Sequence, residues 1–324
     1  MKQTRRQFVR TLFLATAQAT AIGSLFPRPL FAADARARGL NFLVFGDWGR
    51  NGEKDQCDVA AQMATAARDV DAKFIISVGD NFYENGVSSV DDPQWQSSFE
   101  RVYSAPSLQV PWHVALGNHD YHGNCDAQLA YAKKGLRWNM PGRYYVRSEK
   151  IDDATTVDFF YLDTTPMVRS YYLATNAEKT RAHVTTQDVP KQLAWFKAAL
   201  AASRAQWKIV IGHHPIYSGG GLFGHGDTAE LIENILPLLQ EYRVPVYFNG
   251  HDHNLQHLQA GTVNMFDSGA GSRFRPAIQT THTRFAKGCS GFTVVALQAD
   301  KMDVQMIDDK GRLLYTTTVS RMAA

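Results

Sequence analysis

Short apolar runs alternate along the chain with longer segments in which apolar residues recur at helical spacing. The runs are typical of buried strands, and Leu193, Phe196 and Leu200 fall on one face of a predicted helix. The pattern predicts strands at 41–45, 74–78, 112–116, 157–162, 207–211 and 246–248, and helices at 56–70, 94–103, 189–202 and 228–242.

The last part of the chain changes to a hairpin-like pattern after residue 260. Strands are predicted there at 263–266, 291–297, 302–307 and 313–318. Alternating strands and helices followed by hairpins indicate a mixed α/β (α+β) fold in which helices cover a sheet system. Because no linker or internal repeat interrupts the pattern, we predict a single domain over residues 39–324.

Composition places the chain among globular proteins and excludes disorder as its main state. Of the 324 residues, 44% are hydrophobic and 20% are charged, which provides ample apolar material for a packed core. The net charge of +3 comes from residues 1–35, which carry five of the 34 basic and one of the 31 acidic residues. The remaining 29 basic and 30 acidic residues nearly balance, so a body built to bind nucleic acid is not indicated.

Cysteine content and hydropathy limit the covalent and membrane chemistry of the chain. The three cysteines, Cys57, Cys125 and Cys289, are too few for a disulfide framework. One bridge with a free thiol and three reduced thiols both remain open at this point. No apolar run after residue 40 approaches the ~20 residues that cross a bilayer, so stable membrane insertion is not expected.

The first 35 residues have the features of an export signal. Arg5 and Arg6 precede Phe8, a weakly apolar stretch covers 11–26, and small-residue cleavage sites follow. Paired arginines in this position resemble the twin-arginine signal, although a chance pair inside an ordinary secretory signal is the alternative. We predict a signal over 1–35, recognition by the twin-arginine export machinery, and a periplasmic or secreted product.

Polar side chains that can bind metal follow five of the predicted strands. The segments are GDWG at 46–49, GDNFY at 79–83, GNHD at 117–120, GHHP at 212–215 and NGHDH at 249–253. Ligands of α/β sheets bind beyond the carboxyl ends of the strands, so these side chains are expected to converge. The glycine of each segment is expected to let the chain turn sharply.

The number of carboxylate, amide, imidazole and phenol groups in these segments indicates a metal site. All four are ligands of transition-metal ions. Seven such groups exceed the four ligands of one tetrahedral zinc and suit two neighbouring ions that share a carboxylate. Each segment alone is also typical of an ordinary turn or of solvated loop histidines. Their occurrence in order at five strand ends favours the metal site.

The ordered series resembles the metallophosphoesterase superfamily, and Tyr83, three residues after Asp80, narrows the resemblance to the purple acid phosphatases of the small tartrate-resistant type. The likeness continues through 117–131, 137–139, 249–259 and 268–271, and covers about 41–297. It implies a four-layer αββα sandwich of two mixed β-sheets flanked by helices. It also implies an exported acid phosphatase whose substrates are small phosphate monoesters, with phosphopeptides and nucleotides among the candidates.

The resemblance further implies which residues bind two metal ions. An Fe(III) ion would be bound by Asp47, Asp80, Tyr83 and His253, and a second ion, Fe(II), Zn(II) or Mn(II), by Asp80, Asn118, His213 and His251. Asp80 would then bridge the two ions, and the Tyr83 phenolate on Fe(III) would give a purple colour. The carboxylates of Asp120 and Asp252, and the side chain of His257, are expected to accept the remaining ring N–H groups of the bound imidazoles.

His119 and His225 are the candidate catalytic residues. We expect metal-activated hydroxide to attack phosphorus in line with the leaving oxygen, while these histidines contact the phosphate and protonate that oxygen. The alternatives are a structural partner of Asp120 for His119 and a loop histidine without a role for His225. Two rival functions remain: a phosphodiesterase or nucleotidase with the same metals, and a catalytically silent metal-binding surface protein.

Overall fold

The computed structural model describes residues 39–135, 137–173, 180, 183–221 and 225–322. The predicted signal over 1–35 lies outside these residues and stays a prediction. Within the described part of the chain, none of the helices has both the length and the apolar character needed to span a bilayer. All three cysteines are described and are free thiols: Cys57 is exposed, Cys125 is buried and Cys289 is half-buried.

The described strands form two mixed sheets of seven strands each, as the sequence pattern predicted for the fold class. They are β1 (Leu40–Phe45), β2 (Phe74–Ser77), β3 (Trp112–Val114), β4 (Trp138–Asn139), β5 (Tyr145–Lys150), β6 (Thr156–Tyr161), β7 (Trp207–Ile211), β8 (Val246–Asn249), β9 (Leu255–Ala260), β10 (Val263–Ser268), β11 (Thr283–Lys287), β12 (Gly291–Leu297), β13 (Lys301–Asp308) and β14 (Leu313–Ser320). The first sheet has the order β14-β13-β12-β1-β2-β3-β4, and the second has the order β11-β9-β10-β8-β7-β6-β5. Parallel pairs run from β1 to β4 and through β6, β7, β8 and β10, and antiparallel pairs extend the edges.

Helices cover the outer faces of both sheets. The α-helices are α1 (Gln56–Val70), α2 (Cys125–Ala132), α3 (Ser170–Leu173), α4 (Val189–Ala202), α5 (Ala229–Asn234) and α6 (Leu236–Glu241). Shorter turns of 3-10 helix lie at Pro106–Leu108, Asp120–His122 and Thr165–Met167, and a π-helix lies at Trp95–Glu100. These elements give the helix–sheet–sheet–helix order that the family resemblance implied.

Three apolar cores separate the four layers. Phe42 of β1 packs between the sheets against Phe159 of β6, with ring centroids 5.5 Å apart. The next residue, Leu43, points to the opposite face and joins the core under α1, because side chains alternate across a strand. On the outer face of the second sheet, Phe160 packs on Phe196 of α4.

Two predicted helices differ from the observed elements. The segment 94–103 is a π-helix over Trp95–Glu100, because Arg101 donates to the Gln96 carbonyl five residues back (3.1 Å). The segment 228–242 is two helices that meet at Ile235, with Pro237 in the first turn of the second. Proline has no N–H to continue the hydrogen-bond ladder of the preceding helix.

Candidate metal centre

The carboxyl ends of β1, β2, β3, β7 and β8 meet at one edge of the two sheets. Each of these strands is followed by one of the five polar segments. The structure brings together all seven side chains that were predicted to bind metal, and they are Asp47, Asp80, Tyr83, Asn118, His213, His251 and His253. Their contacts divide them into two donor groups.

The first donor group surrounds the Tyr83 hydroxyl. Tyr83 Oη lies 2.9 Å from Asp47 Oδ1, 2.8 Å from Asp80 Oδ2 and 3.0 Å from His253 Nε2. His253 Nε2 is also 3.3 Å from Asp47 Oδ1. All four side chains are at most 5% exposed, so their polar atoms face one another and not solvent.

The second donor group surrounds His213 Nε2. This nitrogen lies 3.2 Å from Asn118 Oδ1, 3.3 Å from His251 Nδ1 and 3.5 Å from Asp80 Oδ1. The other ring nitrogen, Nδ1, is 2.9 Å from the Val78 carbonyl. A carbonyl only accepts, so Nδ1 carries a proton, and Nε2 is the nitrogen that can offer a lone pair to a metal ion once the ring is neutral.

Both donor groups fit a metal ion. Ligands that bind a metal at about 2.1 Å and at right angles lie about 3.0 Å from one another, and the donor separations are 2.8–3.5 Å. Asp47, Asp80 and His213 form one set of potential metal-binding side chains, and His213, His214 and His251 form another. Carboxylate, phenol, amide and imidazole donors together are suited to transition-metal ions.

Burial and close charges shift the pKa values of the donors. Burial raises the pKa of Asp47 to about 8 and that of the Tyr83 phenol well above its ordinary value. Burial would also raise the pKa of Asp80, but the charges of His213 and His119 hold it well below the usual range. Burial lowers the pKa of His213, but the nearby carboxylates of Asp80 and Asp47 raise it to about 9. Without metal, Asp80 and His213 therefore form a buried ion pair.

The backbone at four donors is left-handed. The φ angles are 60° at Asp47, 51° at Asp80, 76° at His251 and 52° at His253. The expectation that the glycines supply the sharp turns is wrong for most of these segments, because the turn residue is the metal-binding one itself. Asp and His enter this region more readily than most residues with a side chain.

The glycines are required for close approach. A Cβ atom on Gly117 would lie 2.2 Å from Asp80 Oδ1, and one on Gly250 would lie 2.4 Å from Asp47 Oδ2. Real Cβ atoms do not approach oxygen this closely, so glycine at these positions leaves the space that the two carboxylates occupy.

The two candidate catalytic histidines lie beside different donor groups, His119 beside Tyr83 and His225 beside His251. The backbone N–H of His119 donates to Asp80 Oδ1 (2.7 Å), and its ring Nδ1 lies 2.7 Å from the Glu84 carbonyl. The ring of His225 lies 4.3 Å from that of His251, between centroids. Both side chains are partly exposed, with 25% and 17% exposure, so both lie where a substrate can reach.

Comparison with known proteins identifies the family. The family described as calcineurin-like phosphoesterase matches residues 40–255. Purple acid phosphatase 3 of Arabidopsis thaliana is 39% identical over 291 residues, which cover 85% of this chain and 76% of that protein. The chain belongs to the purple acid phosphatases. The human tartrate-resistant acid phosphatase type 5 is 37% identical to this chain, and the match covers 90% of this chain and 94% of the human protein.

A solved structure in the same fold comes from Plasmodium. It is described as GAP50, the anchor in the inner membrane complex. Its sequence is 26% identical to this chain, and the two structures superpose with a TM-score of 0.75. The match covers 88% of this chain and 89% of that one. It confirms the family fold over nearly the whole described domain.

The three residues expected to accept the imidazole N–H groups have other partners. Asp252 accepts from Ser218 Oγ and Gln256 Nε2, each at 2.7 Å. Asp120 is buried and accepts from the backbone N–H groups of Asn81 (3.1 Å) and Gly117 (2.8 Å), so it ties the loops after β2 and β3 together. His257 contacts Asn264 and Tyr315 within and beside the second sheet, away from the donor groups. The carbonyl of Val78 takes the place predicted for such an acceptor on His213.

Several contacts of the site had no sequence signal. His214 packs on His251 with ring centroids 4.6 Å apart, and its two nitrogens lie 2.9 Å from the Thr164 and Tyr171 hydroxyls. The Arg50 guanidinium lies over the Tyr83 ring, 3.6 Å from its centroid. Arg275 Nη1 lies 2.6 Å from His225 Nε2. All of these are long-range pairs that no local motif encodes.

Proposed function

We propose that this chain is an exported acid phosphatase that hydrolyses phosphate monoesters at a centre of two metal ions. The observation that carries the proposal is the double contact of Asp80, whose Oδ2 belongs to the Tyr83 group and whose Oδ1 belongs to the His213 group. One carboxylate shared by two donor groups is the arrangement that two-metal hydrolases use. Membership of the purple acid phosphatases supports the same activity.

Our proposal assigns different ions to the two groups. Tyr83, Asp47, Asp80 and His253 would hold Fe(III), because a phenolate and two carboxylates supply the negative charge that a trivalent ion favours. Asp80, Asn118, His213 and His251 would hold Fe(II), Zn(II) or Mn(II). Bound ions would supply positive charge to the phosphate oxygens and acidify a water molecule.

The residues of the chain would orient the substrate and move the proton. Hydrolysis forms a P–O bond from water and breaks the P–O bond to the leaving group, whose oxygen takes the electron pair and then a proton. His119 is the candidate donor. Its Nδ1 is held by the Glu84 carbonyl at 2.7 Å, so Nε2 is the nitrogen that can deliver the proton to the leaving oxygen.

The metal assignment is tested by metal analysis and the visible spectrum of the purified protein. The expected result is two metal ions per chain and a broad visible band that is lost in Tyr83→Phe. Tyr121→Phe, which removes another buried phenol, should keep the band. A protein that holds no stoichiometric transition metal after reconstitution contradicts the proposal.

The role of His119 is tested by turnover and metal content together. His119→Ala should lower turnover of p-nitrophenyl phosphate by about 10²–10⁴ while both ions stay bound. His122→Ala is the control, because His122 contacts the same Glu84 carbonyl (3.1 Å) and has no assigned role in proton transfer. Unchanged turnover in His119→Ala would remove this residue from the mechanism.

The rival functions have separate outcomes. Faster hydrolysis of bis(p-nitrophenyl) phosphate than of the monoester would favour the phosphodiesterase or nucleotidase. The Plasmodium fold neighbour is described as an anchor, which keeps a metal-binding surface protein as the second candidate. That candidate requires two bound ions and no turnover of either ester.

Export is proposed from the sequence of residues 1–35 alone. Replacing Arg5 and Arg6 by lysine should leave the protein in the cytoplasm, because the twin-arginine pathway depends on the arginine pair. Fractionation of cells that express the full chain measures this. Undiminished export of the double-lysine variant would instead support an ordinary secretory signal.

A further inference from the structure

Arg275 contacts residues of, or next to, both donor groups. Its backbone N–H donates to the carbonyl of His253 (2.7 Å), a residue of the first group. Its guanidinium reaches back to His225 Nε2 (2.6 Å), and the His225 ring packs on His251 of the second group. The residue is therefore fixed at one donor group by its backbone and beside the other by its side chain.

The loop that carries Arg275 is held at both ends. At its start, Ser272 Oγ donates to the Asp47 carbonyl (2.6 Å) and accepts from Arg50 Nε (3.2 Å). At its end, the Arg275 N–H bond to His253 closes the loop onto the site. A guanidinium on such a braced loop keeps its position at little cost when a ligand arrives.

In the hydrogen bond between Arg275 and His225, the donor and the acceptor are fixed by the chemistry of the guanidinium. A guanidinium has donors only, so the arginine donates and His225 Nε2 accepts. The remaining ring nitrogen, Nδ1, carries the proton and is 4.0 Å from the buried Asp252 Oδ1. Asp252 is itself fixed by Ser218 Oγ and Gln256 Nε2, each at 2.7 Å.

We propose that Arg275 contacts the phosphate group of the substrate and that His225 is a positioning residue that holds its guanidinium beside the donor groups. The inference rests on the proposed function. The planar fork of arginine matches phosphate oxygens, whereas lysine offers only a point charge. His225, which the sequence pattern presents as a second proton donor, then acts through Arg275.

Binding of inorganic phosphate to the metal-loaded protein tests the contact. Calorimetry should show that Arg275→Gln lowers the affinity for phosphate about tenfold or more, as expected for loss of a charge-assisted hydrogen bond. Arg275→Lys should weaken phosphate less. Arg273→Gln, which removes an exposed cation from the same loop, is the control and should stay within twofold of wild type.

Substitution of His225 tests the positioning role. His225→Ala should lower the affinity for phosphate and raise KM. His225→Gln has an amide oxygen that can accept the hydrogen bond from the guanidinium, so it should restore the phosphate affinity and the KM of the wild type. In the Arg275→Gln background, His225→Ala should add less than a further twofold. A His225→Gln variant that loses as much turnover as His225→Ala, or independent effects of the two substitutions, would overturn the positioning role.

Unaltered phosphate affinity in Arg275→Gln would overturn the contact itself. Each variant must keep the wild-type metal content and melting temperature. If Arg275→Gln does not keep them, the phosphate affinity of Arg275→Lys decides whether Arg275 contacts phosphate. A wild-type protein that hydrolyses no monoester would refute the proposed function, while the phosphate-binding comparison would still decide the role of Arg275.

Discussion

Loading the metal-free protein with metal at pH 7 should release about three protons. Burial raises the pKa of Asp47 to about 8 and that of Tyr83 well above its ordinary value, and both groups are protonated at pH 7. Burial lowers the pKa of His213, but the charge of Asp80 contributes most to raising it to about 9, so His213 is also protonated. Metal binds the carboxylate, the phenolate and the neutral imidazole, so each of the three must lose its proton.

Proton linkage gives the magnitude. Each released proton adds one unit to the slope of log K against pH, and one unit of log K is about 1.4 kcal/mol. From pH 6 to pH 7 the overall metal affinity should therefore rise about 10³-fold, or about 4 kcal/mol. The slope should fall once the pH passes the pKa of Asp47 near 8 and then that of His213 near 9.

The assay is calorimetric titration of Zn(II) into the metal-free protein in two buffers of equal pH and different ionisation enthalpy. Tyr83→Phe removes one of the three protons and should release about two. Tyr121→Phe, which removes a buried phenol outside the donor groups, should still release about three. Release of fewer than two protons by the wild type, or an equal count in Tyr83→Phe, would refute these protonation states.

Two further substitutions probe how the fold holds the donors. Gly250→Ala places a Cβ 2.4 Å from Asp47 Oδ2; it should lower the free energy of unfolding by about 1–3 kcal/mol and reduce metal content, whereas Gly221→Ala, with no atom within 4 Å, should change neither. Asp120→Asn turns an amide toward two buried backbone donors and should cost about 2–4 kcal/mol in denaturant unfolding, against no measurable change for Asp126→Asn, whose side chain is 74% exposed. Equal stability of either variant and its control would contradict the packing argument.

The positions of the donor segments were predictable because the central strands are buried on both faces, whereas the choice of donors within them came from the family resemblance. Strands such as β1, β2 and β8 consist entirely of buried residues, so they stand out as apolar runs and fix where the loops begin. The pattern missed four strands, and two of them, β5 and β11, are the edges of the second sheet, where most residues are half-buried or exposed. The others are β4, which has only two residues, and β9, whose sequence LQHLQA is half polar although almost all of it is buried. An edge strand has one neighbour and a weak apolar pattern.

The contacts around the donors were not predictable from local pattern. Arg275 and His225 are 50 positions apart, and His214 and Tyr171 are 43 positions apart. Such pairs depend on the order of strands in the sheet and on the paths of loops, and neither is encoded in a short motif. The π-helix at Trp95–Glu100 escaped for another reason, since Trp95 and Phe99 are both buried at a spacing that also suits an α-helix.

The left-handed donors explain why these segments combine glycine with Asp or His. A left-handed backbone costs a residue with a side chain about 1–2 kcal/mol, so four such donors cost about 4–8 kcal/mol together, comparable to the net stability of a whole domain. The strain persists because buried strands fix one end of each turn, and Gly117 and Gly250 leave room for the carboxylates that meet there. Asp and His tolerate this backbone better than most residues and also bind metal, so one choice of residue type satisfies the turn and the ion. Replacing a donor by a residue that only fits the turn, such as glycine at Asp47, should therefore relieve strain and still abolish metal binding.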